Sequence, residues 1–223
     1  MTSVLWYILP LGVAMALSVL PLLAAVLILL RPDPLPVGVG YLAGWSIGVL
    51  VLVTVFTLAT SVIPSDRGTS VPGWAHTAEV VLGAALMAWG VWSIARARSA
   101  PATAPSWTRA LTSIGPRRAA AFGLAMNLRP KNLTLAVAAG LAIGSASLDI
   151  VDSGLAIALF TLIGVSTVAA LVLSYLFGNR RVRPALERLS SWLLSHASTV
   201  LRVSLVVVGA MLVALGASNL VAP

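Results

Sequence analysis

Apolar residues run in six long blocks, at about 4–30, 37–63, 77–95, 119–148, 153–177 and 200–221, divided by short segments rich in Pro, Gly, Ser, Asp and Arg. A helix of about 20 apolar residues spans the hydrocarbon of a bilayer. The pattern therefore predicts an all-α polytopic membrane protein with six transmembrane helices. The first block carries Trp6 and Tyr7 as an interfacial belt at one end, with Pro10 and Pro21 along its length. Pro21 is expected to kink or break it. In the second block Gly40, Gly44 and Gly48 recur every four residues, giving one helix face without side chains. That face suits tight packing within the chain or, alternatively, a homodimer contact.

The fourth block is interrupted. Its sequence, AAAFGLAMNLRPKNLTLAVAAGLAIGSASL, is too long for one straight crossing and holds Arg129, Pro130 and Lys131 at its middle. Pro130 removes a backbone donor and disfavours helical geometry at Arg129. A helix ending near Leu128 and restarting at Asn132, a good N-cap residue, is the expected result. Such a restart sets free amides and a positive dipole end beside two cations, which suits an anionic group. The alternative is that Arg129 and Lys131 snorkel to cytoplasmic headgroups below a span from Asn132 to Ile150.

A second copy of this arrangement is visible near the N-terminus. GVAMALSVLPLLAAVL from Gly12 and GLAMNLRPKNLTLAV from Gly123 share Gly, an apolar residue, Ala and Met, followed by a proline-bearing apolar stretch, with the proline two residues apart in the two copies. The copies fall in the first and fourth blocks. Three spans per half would insert the second half upside down relative to the first, a 3+3 inverted repeat whose two broken or kinked helices meet at a site.

Charge sets the orientation. Arg31 follows the first block; Arg96, Arg98, Arg109, Arg117 and Arg118 follow the third; Arg180, Arg181, Arg183 and Arg188 follow the fifth, whereas the opposite-side loops carry only Arg67. The positive-inside rule then puts both termini outside the cytoplasm. Domain organisation follows: a first three-helix repeat at 1–95, a basic cytoplasmic loop at 96–118, and a second repeat at 119–223. Val182, Leu186, Leu189 and Leu193, with Trp192 beside them, recur at helical spacing among arginines. They predict an amphipathic interfacial helix at about 182–196 on the cytoplasmic side, drawn to anionic lipids there.

Composition narrows the chemistry. The 223 residues are 59% hydrophobic and 9% charged, with mean hydropathy +1.02. The net charge of +8 sits in loops between apolar spans, so topology accounts for it and a nucleic-acid partner is not expected. Without cysteine there is no disulfide and no thiolate metal site. His76 and Glu79 share a helix face at the start of the third block, a candidate proton-coupling pair that, as metal ligands, lacks partners. No nucleotide-binding motif, catalytic triad or metal cluster is present, so neither an enzyme nor a cofactor is expected.

Six spans, a proline-bearing first helix and the run NLRPKNLTLAVAAGLAIG resemble the GAP and Sap glycolipid-addressing proteins of the lysine exporter superfamily, over essentially the whole chain. The resemblance rests chiefly on Arg129, Pro130, Lys131 and Asn132 and carries Pro21 over as the first-helix proline. It implies a plasma-membrane protein that delivers a cell-envelope glycolipid to the surface. SVLPLL has no glycine beside its proline, unlike the denser Gly-Pro motif of the superfamily's amino-acid exporters. The expected function is outward transport of a lipid-linked, anionic glycolipid by alternating access. Arg129 and Lys131 would hold the anion, Asn127 and Asn132 would bond sugar hydroxyls, and Pro130 and Pro21 would set the breaks. The alternatives are a small-solute exporter of the same fold and a non-transporting scaffold for envelope-lipid assembly.

Overall fold

A computed structural model of the chain describes residues 2–62, 73–96, 111, 114–146 and 148–221. Among these there are eight α-helices, one short 3-10 helix and no strand: α1 Thr2–Ala16, α2 Val19–Leu29, α3 Pro34–Val62, α4 Gly73–Arg96, α5 Pro116–Met126, α6 Pro130–Ser145, α7 Ile150–Gly178, the 3-10 turn Asn179–Val182 and α8 Arg183–Val221. Among the described residues two stretches are long and apolar enough to cross a membrane alone, Pro34–Thr60 and Ile150–Gly178. The pair Val4–Ala16 and Val19–Leu29, bent by 45°, counts as a third when taken as one crossing. Both sides of α3 are apolar: Tyr41, Trp45, Val49 and Val53 are buried, while Val39, Ile47, Leu50, Val51 and Val55 are exposed. A helix apolar all round has lipid as its second partner.

Four of the closest helix pairings depend on glycine. Along α3, a Cβ on Gly40 would strike the carbonyl of Pro116, one on Gly44 the carbonyl of Ala120, and one on Gly48 the side chain of Asn127. The stripe read from the sequence thus packs within the chain, against α5. From the other side, Gly123 of α5 sits on the backbone of Tyr41 and Trp45. Gly140 and Gly144 of α6 lie against α3 at Val53 to Thr60, Gly12 and Gly164 join α1 to α7, and Gly90 and Gly209 join α4 to α8. Without water to drive helices together, such backbone approaches supply the dispersion contact that holds them.

The core that results joins α1, α3, α6 and α7 through Ile8, Leu11, Met15, Tyr41, Trp45, Leu135 and Phe160, all fully buried. A second cluster joins α2 to α8 and to the end of α7, with Leu23, Val26 and Leu29 against Leu186 and Leu193 of α8 and Tyr175 of α7. Leu30 and Leu35, which flank Arg31, pack into this cluster together with Val182. Arg31 also donates from Nη1 to the carbonyl of Ile114 at 2.8 Å. The basic segments around Arg31, Arg117 and Arg183 therefore sit at one end of the molecule.

Several boundaries differ from those expected. The separate interfacial helix at 182–196 and the span at 200–221 form one continuous helix, Arg183–Val221. Its only proline, Pro184, lies in the first turn, where a missing amide costs little, and the Ser-His-Ala-Ser-Thr run lowers helix propensity without ending the helix. The apolar face of its first half covers α2. Arg117 and Arg118, counted with the basic loop, belong to the first turn of α5, because Pro116 opens that helix after the extended Gly115. The rest of that loop between Arg96 and Leu111, including Arg98 and Arg109, lies outside the described residues, as does Arg67.

Gly44→Leu should cost about 3 kcal/mol or more, since the obstacle is backbone and not a movable side chain. Gly154, with nothing within 4 Å of an added Cβ, is the control. Gly154→Ala should raise stability by about 0.5–1 kcal/mol. Unfolding of the purified variants in mixed detergent micelles checks both.

Candidate functional site

Both broken helices fracture at the same point of the repeated sequence. Laid without a gap, Gly12 to Ser18 and Gly123 to Arg129 share Gly, Ala, Met and Leu, and their last residues, Ser18 and Arg129, are the extended residues from which the second half-helix restarts. Ser18 has φ −74° and ψ 106°; Arg129 has φ −66° and ψ 141°. The causes differ. In a continuous first helix Pro21 would clash with the carbonyl four residues back, at Leu17, so the chain opens just before Ser18. At the second break Pro130 forces Arg129 out of the helical region and becomes the first residue of α6. The restart therefore comes two residues earlier than Asn132.

Freed backbone groups in apolar surroundings need partners, and each break draws some from the other. The ammonium of Lys131 donates to the carbonyl of Ala14 at 3.0 Å, and Thr167 of α7 donates to the carbonyl of Ala16 at 2.7 Å. On the α5 side, Asn132 Nδ2 donates to the carbonyl of Met126 at 3.1 Å, and Asn127 Nδ2 to that of Gly123 at 3.1 Å. Ser18 Oγ donates to Asn132 Oδ1 at 2.6 Å, joining one break to the other. Tyr41 of α3 donates to the carbonyl of Pro21 at 3.0 Å.

Between the two restarts lies a cavity of about 170 Å³. One wall is the first turn of α2, Ser18 to Pro21; the facing wall is Arg129 to Asn132. Trp89 of α4 and Leu205 of α8 complete it. The amides of Val19, Leu20, Lys131 and Asn132 stand in first turns, where a helix supplies no acceptor. Lys131 is 6% exposed and Arg129 half-buried, and among the described residues no carboxylate lines the space. Lys131 bonds a neutral carbonyl, and Arg129 has no hydrogen bond or ion pair among the described residues. Two cations and two positive helix ends thus face one small volume without a compensating charge among the described residues, an arrangement that favours an anion. Among the described residues no group of three His, Asp or Glu is placed to hold a metal ion.

Residues 8–218, a stretch that includes both breaks, match the family model described as Sap, sulfolipid-1-addressing protein. The chain belongs to this family. No curated protein and no solved structure matches it.

In this member of the Sap family, the residues singled out from sequence separate into two groups. Pro21, Arg129, Pro130, Lys131 and Asn132 all line the cavity. Asn127 does not: 1% exposed, it spends its amide on the carbonyls of Gly123 and Leu124 and, across the helix interface, of Trp45 at 3.3 Å. A sugar hydroxyl therefore has no access to it. Asn132 is turned to Ser18 and Met126. His76 and Glu79 fall in α4, and their side chains lie outside the described residues. Ser18, Trp89 and Leu205 were not read from the sequence as site residues. Ser18 was findable as the gapless counterpart of Arg129, whereas nothing distinguishes Trp89 or Leu205 from other apolar positions of their helices.

Asn132→Leu, which removes the bonds to Ser18 and Met126, should lower stability by about 1–3 kcal/mol. Thr161→Val, at a buried hydroxyl without a hydrogen-bond partner among the described residues, should be neutral or mildly stabilising. Detergent unfolding of the two variants compares them directly.

Proposed function

We propose that the protein is a plasma-membrane transporter that moves a lipid-linked, anionic cell-envelope glycolipid outward by alternating access. The observation that carries this reading is the cavity where two interrupted helices restart opposite one another, lined by Arg129 and Lys131 with no carboxylate among the described residues. The family description, sulfolipid-1-addressing, supports a role in lipid export or addressing. In the proposed architecture the chain crosses the membrane six times as two inverted three-helix halves: α1 and α2, α3, and α4; then α5 and α6, α7, and α8. The reciprocal packing supports it, because α3 lies along α5 and α6 as α7 lies along α1 and α2, while α4 pairs with α8. The clustering of Arg31, Arg117 and Arg183 at one end supports a cytoplasmic placement of that end, with both termini outside.

Arg129 and Lys131 hold the anionic group by charge-assisted bonds, assisted by the amides of the α2 and α6 first turns. Rocking of one half against the other exposes the site to each side in turn, with an ion gradient, a partner ATPase or the lipid gradient as the energy source.

Reconstituted in liposomes, the protein should translocate a fluorescent anionic glycolipid. Arg129→Ala with Lys131→Ala should slow that step by at least about tenfold, the loss expected from one or two charge-assisted bonds. An undiminished rate in the double variant would remove the proposed anion site.

A further inference from the structure

The side chains that line the cavity are of two unlike kinds. Those of Ser18, Arg129, Lys131 and Asn132 are polar or cationic; those of Val19, Leu20, Trp89 and Leu205 are apolar, with Trp89 and Leu205 supplied by α4 and α8. A bare inorganic anion has oxygens on all sides, and those turned to the apolar wall would lose water without gaining donors. An ester suits both kinds, since its charged oxygens and its first carbons point in opposite directions. The wall itself is shaped where α4 crosses α8. There a Cβ on Gly209 would meet the backbone of Gly83 and Met87, and one on Gly90 would meet Val206. The two backbones are already as close as glycine allows, so the apolar boundary at this level is set by the side chains of Trp89 and Leu205.

Those two residues differ in reach. Leu205 is 9% exposed, sealed inside, whereas Trp89 is 50% exposed on α4, a helix on which Val81, Val91, Trp92 and Ile94 are exposed as well. Trp89 thus touches both the cavity and a surface that faces lipid in a membrane-embedded helix. A chain leaving the cavity past the Trp89 ring would pass from apolar wall to hydrocarbon without crossing water.

Resting on the anion-site reading above, we infer that Trp89 and Leu205 set the specificity of the site for an amphiphilic sulfate or phosphate ester over the free anion. The anionic group lies at Arg129 and Lys131, the adjoining carbons lie on Trp89 and Leu205, and the remaining chain runs out past Trp89 between the helices.

The test measures binding of inorganic sulfate and of hexyl sulfate to the purified full chain in neutral detergent micelles. Wild type should bind hexyl sulfate at least about tenfold more tightly than sulfate, a modest share of what a buried six-carbon chain can contribute. Trp89→Ala and Leu205→Ala should each cut that preference several-fold while leaving inorganic sulfate within about twofold of wild type, and Trp89→Phe should restore most of it. Arg129→Gln, a change at a side chain with no hydrogen bond or ion pair among the described residues, should weaken both ligands alike. Equal affinity of wild type for the two ligands, or a preference unmoved by both alanine variants, overturns the inference and leaves the anion site standing. Failure of wild type to bind either ligand, or indifference of both to Arg129→Gln, removes the anion site itself.

Discussion

The structure depends on the cost of leaving a peptide group without a partner in apolar surroundings. Two helices are broken in the interior, and each break releases carbonyls at one end and amides at the other. The carbonyls are met from nearby: Lys131 and Thr167 serve the end of α1, and Asn127 and Asn132 serve the end of α5. The contacts of Lys131 with Ala14 and of Ser18 with Asn132 cross from one break to the other, so neither fracture is stable in this form without its counterpart. What stays open is the amide side, and there the cavity lies.

Close backbone packing makes that mutual arrangement reachable. The side chains at the breaks are short or of moderate length, and they can bridge helices only because Gly44, Gly48 and Gly123 bring α3 onto α5, and Gly12 and Gly164 bring α1 onto α7. The same glycines bury Asn127 against Trp45. The division of labour among the polar residues follows from position. Asn127 and Asn132 are committed to the protein, Lys131 is partly committed, and Arg129 is left with its donors toward the cavity. A charge kept without a counter-ion among the described residues is costly in such a place.

Several features were legible in the chain itself. The apolar blocks marked the helices, and the Arg-Pro-Lys interruption marked the second break, since proline acts on its immediate neighbours and needs no tertiary partner to do so. The first break was legible only as a tendency, because Pro21 disturbs a residue four positions upstream and the opening at Ser18 is not marked by any local signal. The end of the amphipathic segment was misplaced for a related reason: its polar residues weaken a helix by tenths of a kcal/mol, roughly, and packing of Leu186 and Leu193 on α2 outweighs that.

Sequence alone determined that the chain is helical, strongly apolar and interrupted beside two cations, because these properties arise from composition and from neighbours along the backbone. Only the tertiary structure decided that the two interruptions face each other, that the glycine stripe is spent within the chain, that Asn127 is closed off, and that Trp89 and Leu205 form the far wall. Those outcomes turn on which helix faces meet across many residues of separation, and an all-apolar helix carries no periodic mark of the face it will bury.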